Sequence, residues 1–313
     1  MNTLASINST TFSCRRQFTN PTISQPTPYS YFTSRQSIIA CSSTGQYVSY
    51  CASGGIYTSS NHGHLFTPIQ IPLSFFSICM SLSGQYQYVI SSAIPEANIW
   101  SSTDFGVSFT RRFNVGTNSS RYIEKVICSS DGKNVFCLGA GSAGQQNFYS
   151  INHGTTFSTV HEPLTRTTGC FDGANILLYE SYTNSMRTVN LDIIPPIETN
   201  TTNSPYGASV GNLINENSNI LLLPFNHTSI CTSSNFGFSW TNIQGTPNFK
   251  HAFIINSIFY ACSTNIVYKS INQGVTWTVV YSLTGGNTIK GFTGISSKIF
   301  MVFTSGSIAI LTL

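Results

Sequence analysis

The acidic side chains are the first candidates for chemistry, and the 313-residue chain has only ten of them. Hydrolysis of a glycosidic bond needs two opposed carboxyl groups. Glu124 and Glu162 are the pair that could share one face of the molecule, although both also suit solvated loops. The eight arginines show no regular spacing that would group several of them in one site. We therefore expect no catalytic residue.

Histidine and cysteine show no ligand or nucleophile pattern. His62, His64 and His153 lie in or beside turn motifs, and the other three histidines, among them His251, are interpreted as loop residues. The nine cysteines contain no C-x-x-C pair, so zinc and redox motifs have no support. The cysteines are predicted to be free thiols in a core, and we expect neither a metal nor a cofactor.

A repeated octapeptide organises the chain. The pattern Ser-x-Asn/Asp-x-Gly-x-x-aromatic occurs five times, at intervals of 43, 48, 83 and 37 residues. The interval of 83 indicates two units, with one decayed copy near 187–189, and a damaged copy occupies 6–12. The residues that define the intact copies are Ser59, Asn61, Gly63, Phe66; Ser102, Asp104, Gly106, Phe109; Ser150, Asn152, Gly154, Phe157; Ser233, Asn235, Gly237, Trp240; and Ser270, Asn272, Gly274, Trp277.

The octapeptide suits a structural turn. The third residue can accept hydrogen bonds from backbone N–H groups of its own turn, and glycine at the fifth position permits a positive φ. The terminal aromatic residue begins the next strand and can pack between sheets. Because Asn replaces Asp in four of the five copies, the turn needs no charge, which favours a structural role over metal binding.

A second marker predicts the number of repeats. Small residues, often with glycine, form turns at 44–45, 83–84, 131–132 and 172–173, with weaker equivalents near 217–218, 256–257 and 296–297. Each turn lies between two short apolar strands. The seven turns predict seven structural units.

The octapeptides resemble the Asp-box (BNR) repeat of the sialidase-like β-propellers, and the blade number is similar to that of the photosystem assembly-factor-like propellers. The resemblance implies an all-β, seven-bladed propeller of four-stranded antiparallel blades spanning 1–313 as one domain. It places each octapeptide between the third and fourth strands of a blade. We predict that an N-terminal strand, about 6–18, completes the last blade formed by 289–313, and that blade four is irregular.

The resemblance also frames the search for a site. Sialidase-like enzymes use an arginine triad, a Tyr-Glu pair and an Asp, with an Arg-Ile-Pro motif that this chain lacks. Propellers usually bind through the loops between blades and between second and third strands. The candidate partner-binding residues there are Tyr29, Tyr31, Phe32, Arg35, Phe75, Phe76, Arg121, Tyr122, Arg166, Phe249 and Lys250. The alternative is that these aromatic residues cap the core.

Composition excludes several classes. Charged residues make up 8% and hydrophobic residues 41%, which fits neither a disordered chain nor a coiled coil. The net charge of +4 has no dense basic stripe, so nucleic-acid binding is not expected. No apolar run reaches 18 residues and no basic n-region opens the chain, so we expect no membrane span and no signal peptide. A cytoplasmic or virion-associated location is favoured.

The prediction is a non-enzymatic binding or assembly scaffold that contacts another protein through one face. Richness in Asn, Ile, Ser and Thr is typical of AT-rich genomes such as those of giant viruses, so a virion-associated structural protein is one version. The alternatives are a glycan-binding lectin and a sialidase-like glycoside hydrolase. A convergent carboxylate, Tyr and Arg would favour the hydrolase, and an aromatic platform without an acid pair the lectin.

Overall fold

The computed structural model describes residues 38–52, 55–71, 73–93, 96–114, 122–140, 147–160, 167–173, 175–180, 185–191, 197–203, 210–224, 228–283 and 288–313. They form 27 strands: β1 (Ile39–Cys41), β2 (Val48–Ala52), β3 (Gly55–Ser59), β4 (Thr67–Ile69), β5 (Phe75–Met80), β6 (Gln87–Ala93), β7 (Glu96–Ser102), β8 (Thr110–Asn114), β9 (Tyr122–Cys128), β10 (Val135–Ala140), β11 (Asn147–Ser150), β12 (Ser158–Val160), β13 (Thr167–Asp172), β14 (Asn175–Glu180), β15 (Ser185–Asn190), β16 (Ile197–Asn203), β17 (Val210–Glu216), β18 (Asn219–Pro224), β19 (Ser229–Ser233), β20 (Thr241–Gln244), β21 (His251–Ile255), β22 (Ile258–Cys262), β23 (Ile266–Ser270), β24 (Thr278–Ser282), β25 (Ile289–Ile295), β26 (Lys298–Phe303) and β27 (Ile308–Thr312).

The strands form seven antiparallel sheets arranged as blades in a ring. Each of the first six sheets joins four consecutive strands, and the seventh joins β25, β26 and β27. The described residues contain no helix, and none that could span a membrane. The predicted all-β fold with seven blades is confirmed. The predicted closing strand, about 6–18, lies outside the described residues.

The ring closes where blade seven packs against blade one. A Cβ added to Gly291 would lie 2.8 Å from Ile38 Cγ1, so the innermost strands touch there. The Cys41 thiol lies 3.6 Å from both the Thr293 hydroxyl and the Gly294 carbonyl oxygen. Side chains of both blades share one buried apolar cluster, in which Phe300 packs with residues of blade one. These described contacts join the two ends of the repeat array.

The apolar core lies between neighbouring blades. Leu177 of β14 and Leu222 of β18, for example, share a buried cluster, which joins blades four and five. Eight cysteines lie in the described residues and all are free thiols, with Cys51, Cys137 and Cys262 among the five that are buried. The five buried thiols match the prediction of core thiols, whereas Cys41, Cys79 and Cys128 are half-buried.

Blade four has no intact octapeptide in its sequence, yet it forms a four-stranded sheet like the blades before and after it. The decayed octapeptide is predicted near 187–189, and these residues lie in β15, which ends at Asn190, while β16 begins at Ile197. The pairing of β15 with β16 contains a register shift at Arg187 and Thr188, and the pairings of third with fourth strands in blades two and six are shifted as well.

Candidate functional site

The octapeptides are five copies of one hydrogen-bonded turn between third and fourth strands. In the second copy, Ser102 Oγ donates to Asp104 Oδ1 at 2.7 Å and accepts from the Gly106 N–H at 2.9 Å. Asp104 Oδ1 also accepts from the Ser108 N–H at 3.0 Å. The four Asn copies make the same three contacts at 2.8 to 3.0 Å. The side chains therefore satisfy the turn internally.

The turn glycines also pack against the preceding blade. Gly154 has a φ of +70°, and a Cβ there would lie 2.7 Å from Tyr88 Cε1 in blade two. The residue before each glycine has a positive φ as well, and two of these side chains stack on tyrosines of the previous blade. The Phe105 ring lies 4.6 Å from that of Tyr47, and the His153 ring 4.1 Å from that of Tyr86. The turns fasten blade to blade.

The first strand of each blade is its innermost strand, the one nearest the centre of the ring. In several blades the pairing of this strand with the second strand is interrupted near its N-terminal end. A register shift interrupts pairing with the second strand in blades two, three, five and seven. The residues left between paired positions are Phe76, Glu124, Gly211 and Lys290. In blade six, the Lys250 N–H donates to the Cys262 carbonyl while His251 pairs with the same residue. The innermost strands surround a central channel. Because these positions come directly after the connections between blades, they mark one mouth of that channel.

A layer of buried polar side chains lies at that end of the channel, and we call it the polar layer. It contains one residue from each innermost strand of blades two to six: Ser77, Lys125, Thr168, Asn212 and His251. Ser77 Oγ accepts from the Val126 N–H at 3.1 Å, which joins blades two and three. Asn212 Nδ2 donates to the Lys250 carbonyl at 3.5 Å, which joins blades five and six.

Lys125 is the centre of the polar layer. Its side chain is 5% exposed, and its ammonium donates to Thr168 Oγ1 at 3.0 Å and to Asn212 Oδ1 at 3.3 Å. Both acceptors are neutral, and no carboxylate among the described residues pairs with this ammonium. Burial lowers the pKa of Lys125 to about 8, against smaller upward effects of Cys170 and Cys79.

His251 gives the layer a second titratable group. Burial, and then the positive charges of Lys290, Lys125 and Lys250, lower its pKa to about 4. The ring is therefore neutral near pH 7. Half of the six lysines in the chain act on this one imidazole, and each effect has the same sign. These three lysines therefore lie near enough to the ring to disfavour its protonation.

A cavity of about 60 Å³ lies within the polar layer. Five innermost strands line it, and its polar side chains are Lys125, Asn212 and His251. Ile38, Ile39 and Phe292 supply apolar wall. By the volume that one buried water requires, the cavity has room for about four waters.

The predicted partner-binding residues are only partly visible. Tyr29, Tyr31, Phe32, Arg35, Arg121 and Arg166 lie outside the described residues, as does the side chain of Tyr122. Phe75 is 1% exposed and Phe249 4% exposed. The Phe249 ring packs on Trp277 at a centroid distance of 4.5 Å, so both rings belong to the core. Phe76 and Lys250 are half-buried at the channel mouth.

Sequence reasoning missed the polar layer. His251 was assigned to a loop, but it is the first residue of β21 and is buried. Glu124 was assigned to a loop and lies in β9, whereas Glu162 is outside the described residues. Counting back from the turns aligns Asn212 with His251, each five residues before its turn, but it misses Lys125, which lies six residues before Asp131. The signal was a polar residue inside an otherwise apolar strand.

Four of the carboxylates that the structure describes accept hydrogen bonds within turns or between neighbouring blades. Asp104 and Asp131 accept hydrogen bonds within their own turns. Asp172 accepts from the Ser218 hydroxyl at 2.7 Å, and Glu216 accepts from the Asn256 and Ser257 N–H groups at 2.7 Å. Glu124 lies at a channel-mouth irregularity.

Several solved propellers share the fold, although no family model and no curated protein matches the sequence. "YCF48 bound to D1 peptide" aligns at 10% identity and a TM-score of 0.63, covering 90% of this chain and 93% of that one. YCF48 from Cyanidioschyzon merolae aligns at 13% identity and a TM-score of 0.64, covering 88% and 94%.

Two further structures with the same fold carry other names. Virginiamycin B lyase from Staphylococcus aureus aligns at 12% identity and a TM-score of 0.66, covering 85% of this chain and 90% of that chain. A chain of a nidogen/laminin complex aligns at 12% identity and a TM-score of 0.53, covering 74% and 91%. Identities this low establish the fold alone.

Proposed function

We propose that this chain is a non-enzymatic scaffold that binds a segment of another protein at the channel mouth. The observation that carries the proposal is the recurrent irregularity of the innermost strands. Bulges redirect side chains and are common beside functional sites. Here they recur at the same end of four strands and put Phe76 and Lys290 at that mouth.

The mouth chemistry suggests the kind of segment. A half-buried aromatic ring and two half-buried lysines, Phe76, Lys250 and Lys290, suit a segment with apolar and acidic residues. The partner-binding residues predicted from the sequence also include tyrosines and arginines, which are likewise aromatic or positively charged. We interpret the octapeptides as Asp-box repeats that fasten the blades at the face opposite this mouth, where they contact the turns between first and second strands. A virion-associated scaffold is one setting for the protein.

Two of the similar propellers were solved with protein or peptide partners, namely YCF48 with a D1 peptide and the nidogen/laminin complex. These support a binding role by analogy of fold. Most of the described carboxylates accept hydrogen bonds within turns or between neighbouring blades. This weighs against the hydrolase alternative, which needs two free acids.

A peptide-display selection tests the proposal. The whole chain is immobilised, and selected peptides are measured for affinity by fluorescence anisotropy against wild type, Lys290→Glu and Phe76→Ala. We expect acidic, partly apolar peptides, and at least a tenfold loss of affinity in both variants. Lys269→Glu is the matched control, because Lys269 is an exposed lysine on the third strand of blade six.

Two results contradict this function. Selection of no peptide by the folded chain would remove the proposed partner class, as would peptides that bind all variants equally. A glycan array and a sialidase assay on the same preparation address the alternatives. Glycan binding without turnover would favour the lectin, and turnover would favour the hydrolase.

A further inference from the structure

We propose that the cavity in the polar layer is a binding site for one compact oxyanion, a carboxylate or phosphate group held between Lys125 and His251. The site does not depend on the proposed protein partner, because the cavity lies inside the ring and is formed by the chain itself.

The hydrogen bonds of Lys125 leave it ready for such a ligand. An ammonium group has three N–H donors, and two of them reach Thr168 and Asn212. The third has no acceptor among the described residues, and Lys125 lines the cavity. Burying a charge without an opposite charge is unfavourable. An anion in the cavity would supply both the missing acceptor and the counter-charge.

The surrounding charges select the sign of the ligand. Lys250 and Lys290 lie close enough to His251 to lower its pKa, and Lys125 acts in the same direction. Positive charges beside a cavity lined by buried side chains stabilise an anion more strongly than they would in bulk solvent, because the effective dielectric constant there is lower. A neutral imidazole nitrogen can also donate one hydrogen bond to an oxyanion.

The size of the cavity limits the ligand to one compact group. A volume of about 60 Å³ fits about four waters or one carboxylate or phosphate, and Ile38, Ile39 and Phe292 close the apolar side. A sugar or nucleotide would have to leave its larger part in the channel mouth.

Calorimetric and thermal titrations of the full chain test the site. Sodium phosphate and sodium acetate are compared with sodium chloride at constant ionic strength and pH 7. We expect a saturable rise in Tm and measurable heat of binding for at least one oxyanion. In Lys125→Met the response should fall at least tenfold, whereas Lys269→Met, which removes an exposed lysine, should respond like wild type.

A second variant keeps the test decisive if Lys125→Met does not fold. Asn212→Asp puts a carboxylate where Oδ1 now lies 3.3 Å from the ammonium. This internal anion should abolish the response to added phosphate and acetate and raise the Tm in chloride. A wild-type chain that responds to neither anion, or variants that respond as wild type does, would show that the cavity holds water only and would overturn the proposal.

The oxyanion could be a free anion or a group carried by the protein partner, and a competition experiment distinguishes these two sources. If free phosphate or acetate competes with a selected acidic peptide, the group is carried by the protein partner. If both bind together, the site takes a free anion. Loss of peptide selection with anion binding intact would remove the proposed partner and leave this site standing.

Discussion

The octapeptide turns and the polar layer differ in how far their residues repeat from blade to blade. The turns repeat one chemistry, since five blades use the same Ser, Asx and Gly contacts at nearly equal distances. The polar layer uses a different residue in each blade, from Ser77 to Lys125 and His251. Repetition serves the geometry that every blade needs, whereas variation breaks the symmetry of the ring and creates one charged site.

The largest expected effect is at a turn glycine. Gly154→Ala should destabilise the fold by about 4 kcal/mol, because it combines a left-handed backbone with a Cβ 2.7 Å from the buried Tyr88 ring. Urea denaturation measures it. Gly306→Ala is the control: its φ is +77° but nothing lies within 4 Å of the added Cβ, so only about 1 kcal/mol of strain is expected. Equal losses would mean that the turns do not fasten the blades.

The next effect belongs to the polar layer. His251 has a pKa of about 4 in the fold and about 6.5 when unfolded. Between these values the unfolded chain binds more protons, so stability falls as pH drops from 6.5 to 4, by about 3 kcal/mol in all. Chemical denaturation at several pH values measures the fall.

His251→Asn supplies the comparison for that measurement, since blade five has Asn at the equivalent position. The variant should lose the acid-dependent component, whereas His64→Asn, at an exposed histidine, should retain it. An unchanged pH profile in His251→Asn would mean that the imidazole is not the group that limits stability in acid.

A smaller loss is expected when one turn hydroxyl is removed. Ser102→Ala deletes the donor to Asp104 and the acceptor for the buried Gly106 N–H, which should cost about 1 to 2 kcal/mol. The change in urea midpoint measures it. Ser108→Ala removes an exposed hydroxyl that bonds to the same carboxylate, and we expect a smaller loss there.

The smallest effect is expected for Asp104→Asn, with a loss below about 0.5 kcal/mol at pH 7. Asn keeps the Oδ1 acceptor, and its amide can donate to residue 108 as Asn235 Nδ2 does to Ser239 Oγ at 2.9 Å. Although burial opposes it, hydrogen bonds from Ser108 and Ser102 lower the pKa of Asp104. Asp104→Ala, which lacks the acceptor, should lose more at the same pH. A loss above 1 kcal/mol in the Asn variant would show that the turn requires its charge.

Much of the fold was predictable because its signals are local. The turn at Asp131 and Gly132 and the octapeptide beginning at Ser150 both act within a few residues, so their spacing predicts strands and blades. The turn predicted near 256–257 lies between β21, which ends at Ile255, and β22, which begins at Ile258. The location of the aromatic residues was harder to predict. Phe75 and Phe249 are of a residue type common in interfaces, but they are buried in the fold.

The sequence by itself determined the repeat, the turn chemistry and the number of blades, since each depends on short-range hydrogen bonds and on backbone conformations that particular residues favour. Only the tertiary structure decided where the charges meet. Lys125 and Asn212 are 87 residues apart and belong to different blades, yet closing the ring brings their side chains to 3.3 Å. Strand periodicity tells which residues share a face, but not which face points to the axis. That choice follows from packing every blade against both of its neighbours.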